Sequence, residues 1–337
     1  MPIGIGVSLE GFFYRLRSGD IFYAKGVTHP EGYAVAYPRY VVDLAGDRVD
    51  RSGVRYRRLG TLEEEYSYAS SRYSGYVRLD RFYCREVVLV PLSDIEHIYN
   101  PIQRARELLE STPEDSVLAD VRNMVLDLVE ATGVKDIGVS GSVLVGLHRE
   151  DSDIDIVVYG IDNSRRVYRY LSEVVDKDPR YRRYSADDVL GLYLRRSAET
   201  PIPFDQVLKQ ESRRVLEGFF GRREYFVRLL KYPWEEPSYG SYVCSKLGKA
   251  VLRLRVLDAS EAMLTPCRYA VEVVEHVDGV RADVVEVYSL RGRFAEVARE
   301  GDIVIARGTV ELIETLSGEM YYRLYLGDRD DYLVLES

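Results

Sequence analysis

The sequence predicts a mixed α/β (α+β) core between two β-rich segments. Short apolar segments separated by glycine- and aspartate-containing turns fill residues 1–98. From Thr112 onward apolar residues recur at helical spacing until Gly133, and a strand follows. Beyond residue 258 short strands and turns return. A chain of 337 residues is long enough for several domains. We therefore predict three, at residues 1–98, 99–258 and 259–337.

The first segment is predicted to form a β-rich domain in which tyrosines stand beside arginines, as in Arg39-Tyr40 and Arg55-Tyr56-Arg57-Arg58. Interleaved aromatic and cationic side chains on a sheet could stack bases and neutralise a nucleic-acid backbone. Tyrosine, however, favours strands in general. An ordinary sheet surface covered by arginine is therefore the preferred interpretation.

The middle segment contains two aspartates, Asp153 and Asp155, that alternate with Ile154 and Ile156. In a strand, successive side chains point to opposite faces, so both carboxylates would project from the same side. Aspartate is a poor strand former and is costly to bury without a partner. The pattern therefore predicts a site for a divalent cation.

Gly141 and Ser142 follow a short apolar run, Ile137 to Val139, and ten residues separate Ser142 from Asp153. A strand is expected to end here and a helix to begin, with its first amides free to bind phosphate. A phosphate site and a carboxylate pair are the parts needed to hold a metal-bound nucleoside triphosphate.

This spacing of Gly-Ser and Asp-x-Asp on an apolar strand resembles the signature of the DNA polymerase beta-like nucleotidyltransferase superfamily. The whole chain is also similar to an uncharacterised archaeal family of predicted nucleotidyltransferases. The resemblance implies a nucleotidyltransferase core that uses Mg²⁺ or Mn²⁺ and a nucleoside triphosphate such as ATP. Asp153 and Asp155 would ligate the metal, and Gly141 and Ser142 would hold the β- and γ-phosphates.

A two-metal transferase normally needs a third carboxylate on a neighbouring strand. The apolar segments Tyr225 to Leu230 and Ala250 to Leu257 are predicted to be strands of the same sheet as the aspartates. Asp258, at the end of the second segment, is the first candidate, because its surroundings resemble the corresponding region of archaeal tRNA CCA-adding enzymes. Glu224, just before the first segment, is the alternative.

Helices are predicted at Ser164 to Val175, Ser185 to Arg195 and Asp205 to Phe219. Arginine suits bidentate phosphate binding, although each helix arginine could equally face solvent. The candidates for contact with a triphosphate or a nucleic acid are Arg165, Arg166, Arg169, Arg182, Arg183, Arg213 and Arg214.

The last segment, residues 259–337, is predicted to form a small closed β-barrel, for example of the OB type, because closure hides the edges of many short strands. It contains 8 basic and 16 acidic residues, a balance of −8 in a chain of net charge −9. That acidity argues against a nucleic-acid groove in this segment and favours a structural or protein-contact role.

The sequence thus favours an enzyme that moves a nucleoside monophosphate to a hydroxyl acceptor, with release of pyrophosphate. The acceptor could be an RNA end, a small molecule or a protein. The alternative is an inactive nucleotidyltransferase fold that binds RNA or a protein. A cytoplasmic location is expected, because no apolar run of about 18 residues and no signal peptide is recognisable.

Overall fold

A computed structural model describes residues 9–196 and 202–336. It is a mixed α/β structure with several sheets, as predicted. Two compact units are formed, one from residues 1–170 and 220–239, the other from 171–219 and 240–337. The three-domain boundaries stay a prediction. Among the described residues, every helix is too short or too polar to cross a membrane.

The first unit begins with a β-rich sheet, as the turn pattern predicted. Its strand order is β4-β5-β3-β2-β1-β8, and β7 pairs with β3 and β6. One helix, α1 (Leu62–Arg72), follows β5 and starts at Thr61, whose hydroxyl accepts a hydrogen bond from the Glu64 amide. The strands are β1 (Phe13–Leu16), β2 (Ile21–Ala24), β3 (Tyr33–Val42), β4 (Arg48–Val49), β5 (Arg55–Arg58), β6 (Val77–Asp80), β7 (Arg85–Pro91) and β8 (Ile95–Tyr99).

Many tyrosines of this sheet belong to its core. Tyr14, Tyr40 and Tyr56 are buried, and arginines lie over tyrosine rings, as Arg78 does over Tyr33. This packing is what the ordinary-sheet interpretation predicted for these positions.

The same unit contains the three strands that present the two aspartates. Strand β10 (Ile154–Tyr159) pairs antiparallel with β9 (Ile137–Val139) and parallel with β13 (Arg223–Leu230). Helix α2 (Pro101–Glu110) precedes α3 (Ser116–Thr132), a four-residue helix α4 (Gly141–Leu144) joins β9 to β10, and α5 (Ile161–Val174) follows β10.

Helix α3 starts later than its apolar pattern suggested. We expected a start at Thr112, but the N-cap is Asp115, whose side chain accepts a hydrogen bond from the Leu118 amide. The predicted end at Gly133 is confirmed, because this glycine adopts the left-handed conformation (φ 68°) that commonly ends a helix.

The second unit contains β11 (Tyr181–Arg182), α6 (Ala186–Arg196), α7 (Phe204–Glu211) and β12 (Glu217–Phe220). The predicted helix from Asp205 to Phe219 is wrong in its second half, because β12 occupies that part of the chain and pairs with β11.

The rest of the second unit is a closed ring of five strands, which confirms the predicted closure. The ring strands are β14 (Tyr242–Glu261), β16 (Cys267–Gly279), β17 (Val284–Ser289), β18 (Ile303–Thr315) and β19 (Met320–Tyr325). Their order is β14-β16-β17-β19-β18, β18 pairs again with β14, and β17 runs parallel to β19. Strand β20 (Tyr332–Leu335) pairs with β18, and the two-residue strand β15 (Leu264–Thr265) lies between β14 and β16 along the chain.

The ring corrects one expectation about the core sheet. Ala250 to Leu257, predicted to share a sheet with Tyr225 to Leu230, lies within β14 and pairs with β16 and β18. Its alternate apolar residues, among them Leu252 and Leu254, fill the core of the ring. A strand that begins at Tyr242 therefore belongs to the ring, upstream of the predicted boundary at residue 259.

Candidate active site

Strand β10 positions the two aspartates by simple alternation. Ile154 and Ile156 are buried, whereas Asp155 is half-buried and Asp153, immediately before the strand, is exposed. The two carboxylates therefore lie on one face of the sheet, opposite the isoleucines.

The Asp155 carboxyl is held in an unfavourable electrostatic position. Burial, and then the negative charge of Asp153, raise its pKa from 3.8 to about 7, although Arg228, Arg39 and Arg58 oppose the shift. Within residues 9–196 and 202–336, neither aspartate side chain accepts a hydrogen bond or forms an ion pair. Two neighbouring carboxylates without a partner favour the binding of a cation.

Gly141 is required at its position because the Asp155 carboxylate packs against it. A Cβ at residue 141 would lie 1.9 Å from Oδ2 of Asp155. The glycine also has a φ of 61°, which side chains rarely allow. Beside it, the Ser140 amide donates to the Asp155 carbonyl at 2.9 Å. The Gly-Ser turn and the aspartate strand are thus in direct contact.

The Ser142 hydroxyl closes the loop between α4 and β10. It is buried and donates to the Ser152 hydroxyl at 3.2 Å, which in turn accepts from the Arg149 amide at 2.9 Å. Because this hydroxyl is engaged, a phosphate contact by Ser142 would come from its backbone amide.

Strand β13 adds a second row of side chains to the aspartate face. Asp155 is paired with Phe226, and Ile154 with Tyr225. Glu224, one residue earlier, therefore stands beside Asp153. Glu224, Phe226 and Arg228 are half-buried and alternate with buried residues, which places them on the same open face.

The two candidates for the third carboxylate lie in different sheets. Asp258 is in β14 of the ring, and its carboxylate accepts hydrogen bonds from the Ser260 amide at 2.7 Å and hydroxyl at 3.0 Å. Among the described residues of the first unit, no third His, Cys, Asp or Glu forms a group with Asp153 and Asp155 in which all ligand atoms lie within 4.8 Å.

Arg223 supports the site and was missed by the sequence reasoning. Its guanidinium donates to the carbonyls of Glu150 and Ser152 at 2.7 and 2.8 Å and to Asp120 at 3.0 Å. It thereby ties β13 and α3 to the loop before Asp153. No local pattern marks such a residue, because its three partners come from other segments.

Several of the arginines predicted to contact phosphate have protein partners and lie outside the helices. Arg182 and Arg183 pair with Asp188 and Asp176. Arg214 is buried and pairs with Glu217 at 2.8 Å and Glu211 at 3.5 Å. In these three positions arginine stabilises the second unit itself.

A family comparison bears on the region that contains the carboxylate pair. Residues 119–214 match the nucleotidyltransferase domain. The resemblance inferred from Gly141-Ser142 and Asp153-x-Asp155 is therefore confirmed for this part of the chain. The match supports nucleotidyl transfer as the general function, and domains of this kind generally use a nucleoside triphosphate and divalent metal ions.

The whole chain also has a relative of similar length. It is 25% identical over 326 residues to an uncharacterised protein of Methanocaldococcus jannaschii, and the alignment covers 94% of each chain. No solved structure matches the chain.

The donor set suits the metal ions that such domains use. Mg²⁺ and Mn²⁺ prefer oxygen ligands, and carboxylates are their usual protein donors. Asp153 and Asp155 supply such oxygens without a competing hydrogen bond among the described residues. The residues present therefore fit a hard divalent cation.

Proposed function

We propose that the protein transfers a nucleoside monophosphate from a nucleoside triphosphate to a hydroxyl acceptor and releases pyrophosphate. The observation that carries this proposal is the unpartnered carboxylate pair packed against Gly141, within the segment that matches the nucleotidyltransferase domain. A protein gains no stability from two adjacent carboxylates without a counter-ion, so their chemistry accounts for them better than packing does.

In this proposal Asp153 and Asp155 hold Mg²⁺ or Mn²⁺. The bound ion would neutralise charge on the phosphates and help to lower the pKa of the attacking hydroxyl. Gly141 and Ser142 offer backbone amides to the β- and γ-phosphates. The nucleophile belongs to the acceptor, an RNA end, a small molecule or a protein side chain, so no nucleophilic enzyme side chain is required.

For the third carboxylate, Glu224 has stronger support than Asp258. Glu224 stands on the strand next to β10 and on the same face as Asp153. Asp258 is a candidate through the resemblance of its surroundings to archaeal tRNA CCA-adding enzymes, but the preceding segment, Ala250 to Leu257, lies in the ring and not in the aspartate sheet. Glu224→Gln and Asp258→Asn separate the two: we expect the first to reduce transfer strongly and the second to leave it near wild type.

The test is a transfer assay with each α-labelled nucleoside triphosphate, Mg²⁺ or Mn²⁺, and total RNA or protein as acceptor. We expect Asp153→Ala and Asp155→Ala each to lower the rate of labelling by about a thousandfold or more, because removal of a transition-state contact in such sites has effects of that order. Asp151→Ala is the matched control, since Asp151 is exposed and pairs only loosely with Arg149, at 3.4 Å.

Wild-type protein that neither binds a triphosphate with metal nor labels any acceptor would contradict the proposal. That result would favour the alternative, an inactive fold that binds RNA or a protein.

A further inference from the structure

The N-terminal sheet packs directly on the segment that carries Gly141 and Ser142. Tyr40, Phe13 and Tyr56 form one buried cluster with Leu144 and Val145. The Ser140 hydroxyl also donates to a backbone carbonyl of the N-terminal segment, at 2.8 Å. Side chains at this end of the N-terminal sheet are therefore placed to reach the aspartate site.

Arg39, next to Tyr40, is one such side chain. Its guanidinium donates to Glu65 at 2.6 Å and lies 5.9 Å from the centre of the Tyr23 ring. The other Glu65 oxygen accepts a hydrogen bond from the Tyr23 hydroxyl at 2.9 Å. The buried glutamate and the ring hold the arginine in one orientation, while 26% of its side chain remains exposed.

Arg228, on strand β13, is also held by a buried glutamate. It stands two residues after Phe226, the register partner of Asp155, and lies over the Phe226 ring at 5.0 Å. Its anchor is the buried Glu10, which also accepts from Lys25 at 2.8 Å. One glutamate thus contacts two cations.

Arg58 is the third cation. It ends β5 and lies opposite Tyr40 in the strand register, on the same face. Its side chain is exposed and, within the described part of the chain, has neither a hydrogen bond nor an ion pair. Tyr40 packs on Leu144 and Val145, so the sheet face that carries Arg58 lies against the segment that follows Gly141 and Ser142. Arg228 lies opposite Val157, two residues along β10 from Asp155. The three positive charges also lower the pKa of the Asp155 carboxyl.

The charges of the arginines near Asp155 suit an anionic ligand. Arg39 and Arg228 each have a glutamate partner, whereas Arg58 has no protein anion among the described residues. A divalent cation would neutralise the two aspartates, and the Arg58 charge would then be available to a further anion. Arginine binds phosphate oxygens with two parallel hydrogen bonds. Arg39 and Arg228 are recessed beside Asp155, which fits the compact phosphates of a metal-bound nucleotide better than the extended backbone of an acceptor nucleic acid.

We propose that Arg39, Arg58 and Arg228 form an anion subsite for the triphosphate of the metal-bound nucleotide. The subsite rests on the function proposed above, and all three arginines lie outside the segment that matches the nucleotidyltransferase domain. The N-terminal sheet is then part of the nucleotide site.

Equilibrium binding tests this assignment. Dissociation constants for a nucleoside triphosphate, for the corresponding monophosphate and for RNA are measured with Mg²⁺ on wild type and on Arg39→Met, Arg58→Met and Arg228→Met. We expect each variant to bind the triphosphate about tenfold more weakly, since a hydrogen bond to a charged group is worth a factor of that order or more. Monophosphate and RNA binding should change by less than about twofold, because those ligands do not place a triphosphate in the subsite.

Arg58→Met is the deciding variant. Its side chain is exposed and has no protein partner in the described residues, whereas Arg39→Met and Arg228→Met remove a cation from a buried glutamate. Arg78→Met is the matched control, because Arg78 is an exposed arginine of the same unit that lies over the Tyr33 ring at 5.7 Å. The control should bind the triphosphate as wild type does.

Unchanged triphosphate affinity in Arg58→Met would overturn the subsite and leave the proposed function intact. Loss of RNA affinity with unchanged triphosphate affinity would also overturn it and assign the arginines to the acceptor. Wild-type protein that binds no triphosphate would remove the proposed function and the subsite together.

Discussion

The Arg323–Glu311 pair of the ring and the Asp153–Asp155 pair of the aspartate sheet differ in how their charge is compensated. In the ring, Arg323 donates to Glu311 at 2.8 Å, and the two side chains are 4% and 0% exposed. The rings of Tyr288 and Tyr242 lie 4.4 and 5.5 Å from the Arg323 guanidinium. In the aspartate sheet, Asp155 has a neighbouring negative charge and no hydrogen-bonded partner among the described residues. The Arg323–Glu311 pair therefore stabilises the ring, whereas the uncompensated carboxylate of Asp155 indicates a ligand.

The largest expected effect comes from breaking the pair in the ring. Arg323→Met should lower the free energy of unfolding by about 3–5 kcal/mol, because it leaves the Glu311 carboxylate buried without its cation. Urea denaturation measures the loss. Arg323→Met combined with Glu311→Leu should recover most of it. A single variant as stable as wild type would show that the pair does not compensate a buried charge.

Removing the charge of Asp155 should raise the free energy of unfolding, whereas Arg323→Met should lower it. In a chelator, Asp155→Asn should be more stable than wild type by at most about 4 kcal/mol at pH 8, the equivalent of a pKa of about 7 in place of 3.8. Because the pKa of Asp155 is raised in the folded state, its charge costs wild type no stability below about pH 4. The cost grows as pH rises and is complete above about pH 7.

The stability gain of Asp155→Asn should therefore vanish near pH 4 in the same denaturation series. Asp151→Asn, an exposed aspartate, is the control and should show no such pH dependence. A variant less stable than wild type at pH 8 would contradict the view that Asp155 is unpartnered.

A smaller loss of stability is expected when a side chain is added at Gly141, where the Asp155 carboxylate packs. Gly141→Ala should cost about 2 kcal/mol more than Gly146→Ala, measured as the difference in free energy of unfolding. Both glycines have positive φ, of 61° and 71°, so both variants carry the left-handed penalty of about 1–2 kcal/mol. Only the Cβ at 141 meets Asp155, because nothing lies within 4 Å of one at 146. Equal losses would show that the aspartate moves aside freely.

The smallest effect is expected at Arg165. Its ion pair with Asp162, at 3.7 Å, is exposed on the first turns of α5. Arg165→Gln should change stability by less than about 0.5 kcal/mol. Triphosphate affinity should also be unchanged, since the start of α5 is six residues, or about 20 Å of strand, beyond Asp155. A clear loss of affinity would assign this helix arginine to the nucleotide after all.

Local pattern predicted the strand and the shared face of the two aspartates. The alternation of Asp153 and Asp155 with isoleucine specifies a strand and a shared face, because side-chain direction in a strand depends only on position along it. The same holds for the end of α3 at Gly133, where one residue provides the left-handed conformation. The turns at both ends of the chain likewise predicted β-rich segments.

Pairing between distant segments was decided only by the tertiary structure. Ala250 to Leu257 has the same apolar alternation whether it joins the aspartate sheet or the ring, and burial inside the ring determined its partners. Arg39, Arg223 and Arg228 look like ordinary arginines in the sequence, because their partners lie in other parts of the chain. Arg58 is near the aspartates only through the packing of the N-terminal sheet. The sequence by itself therefore determined which residues could hold a metal, while the fold decided which charges surround them.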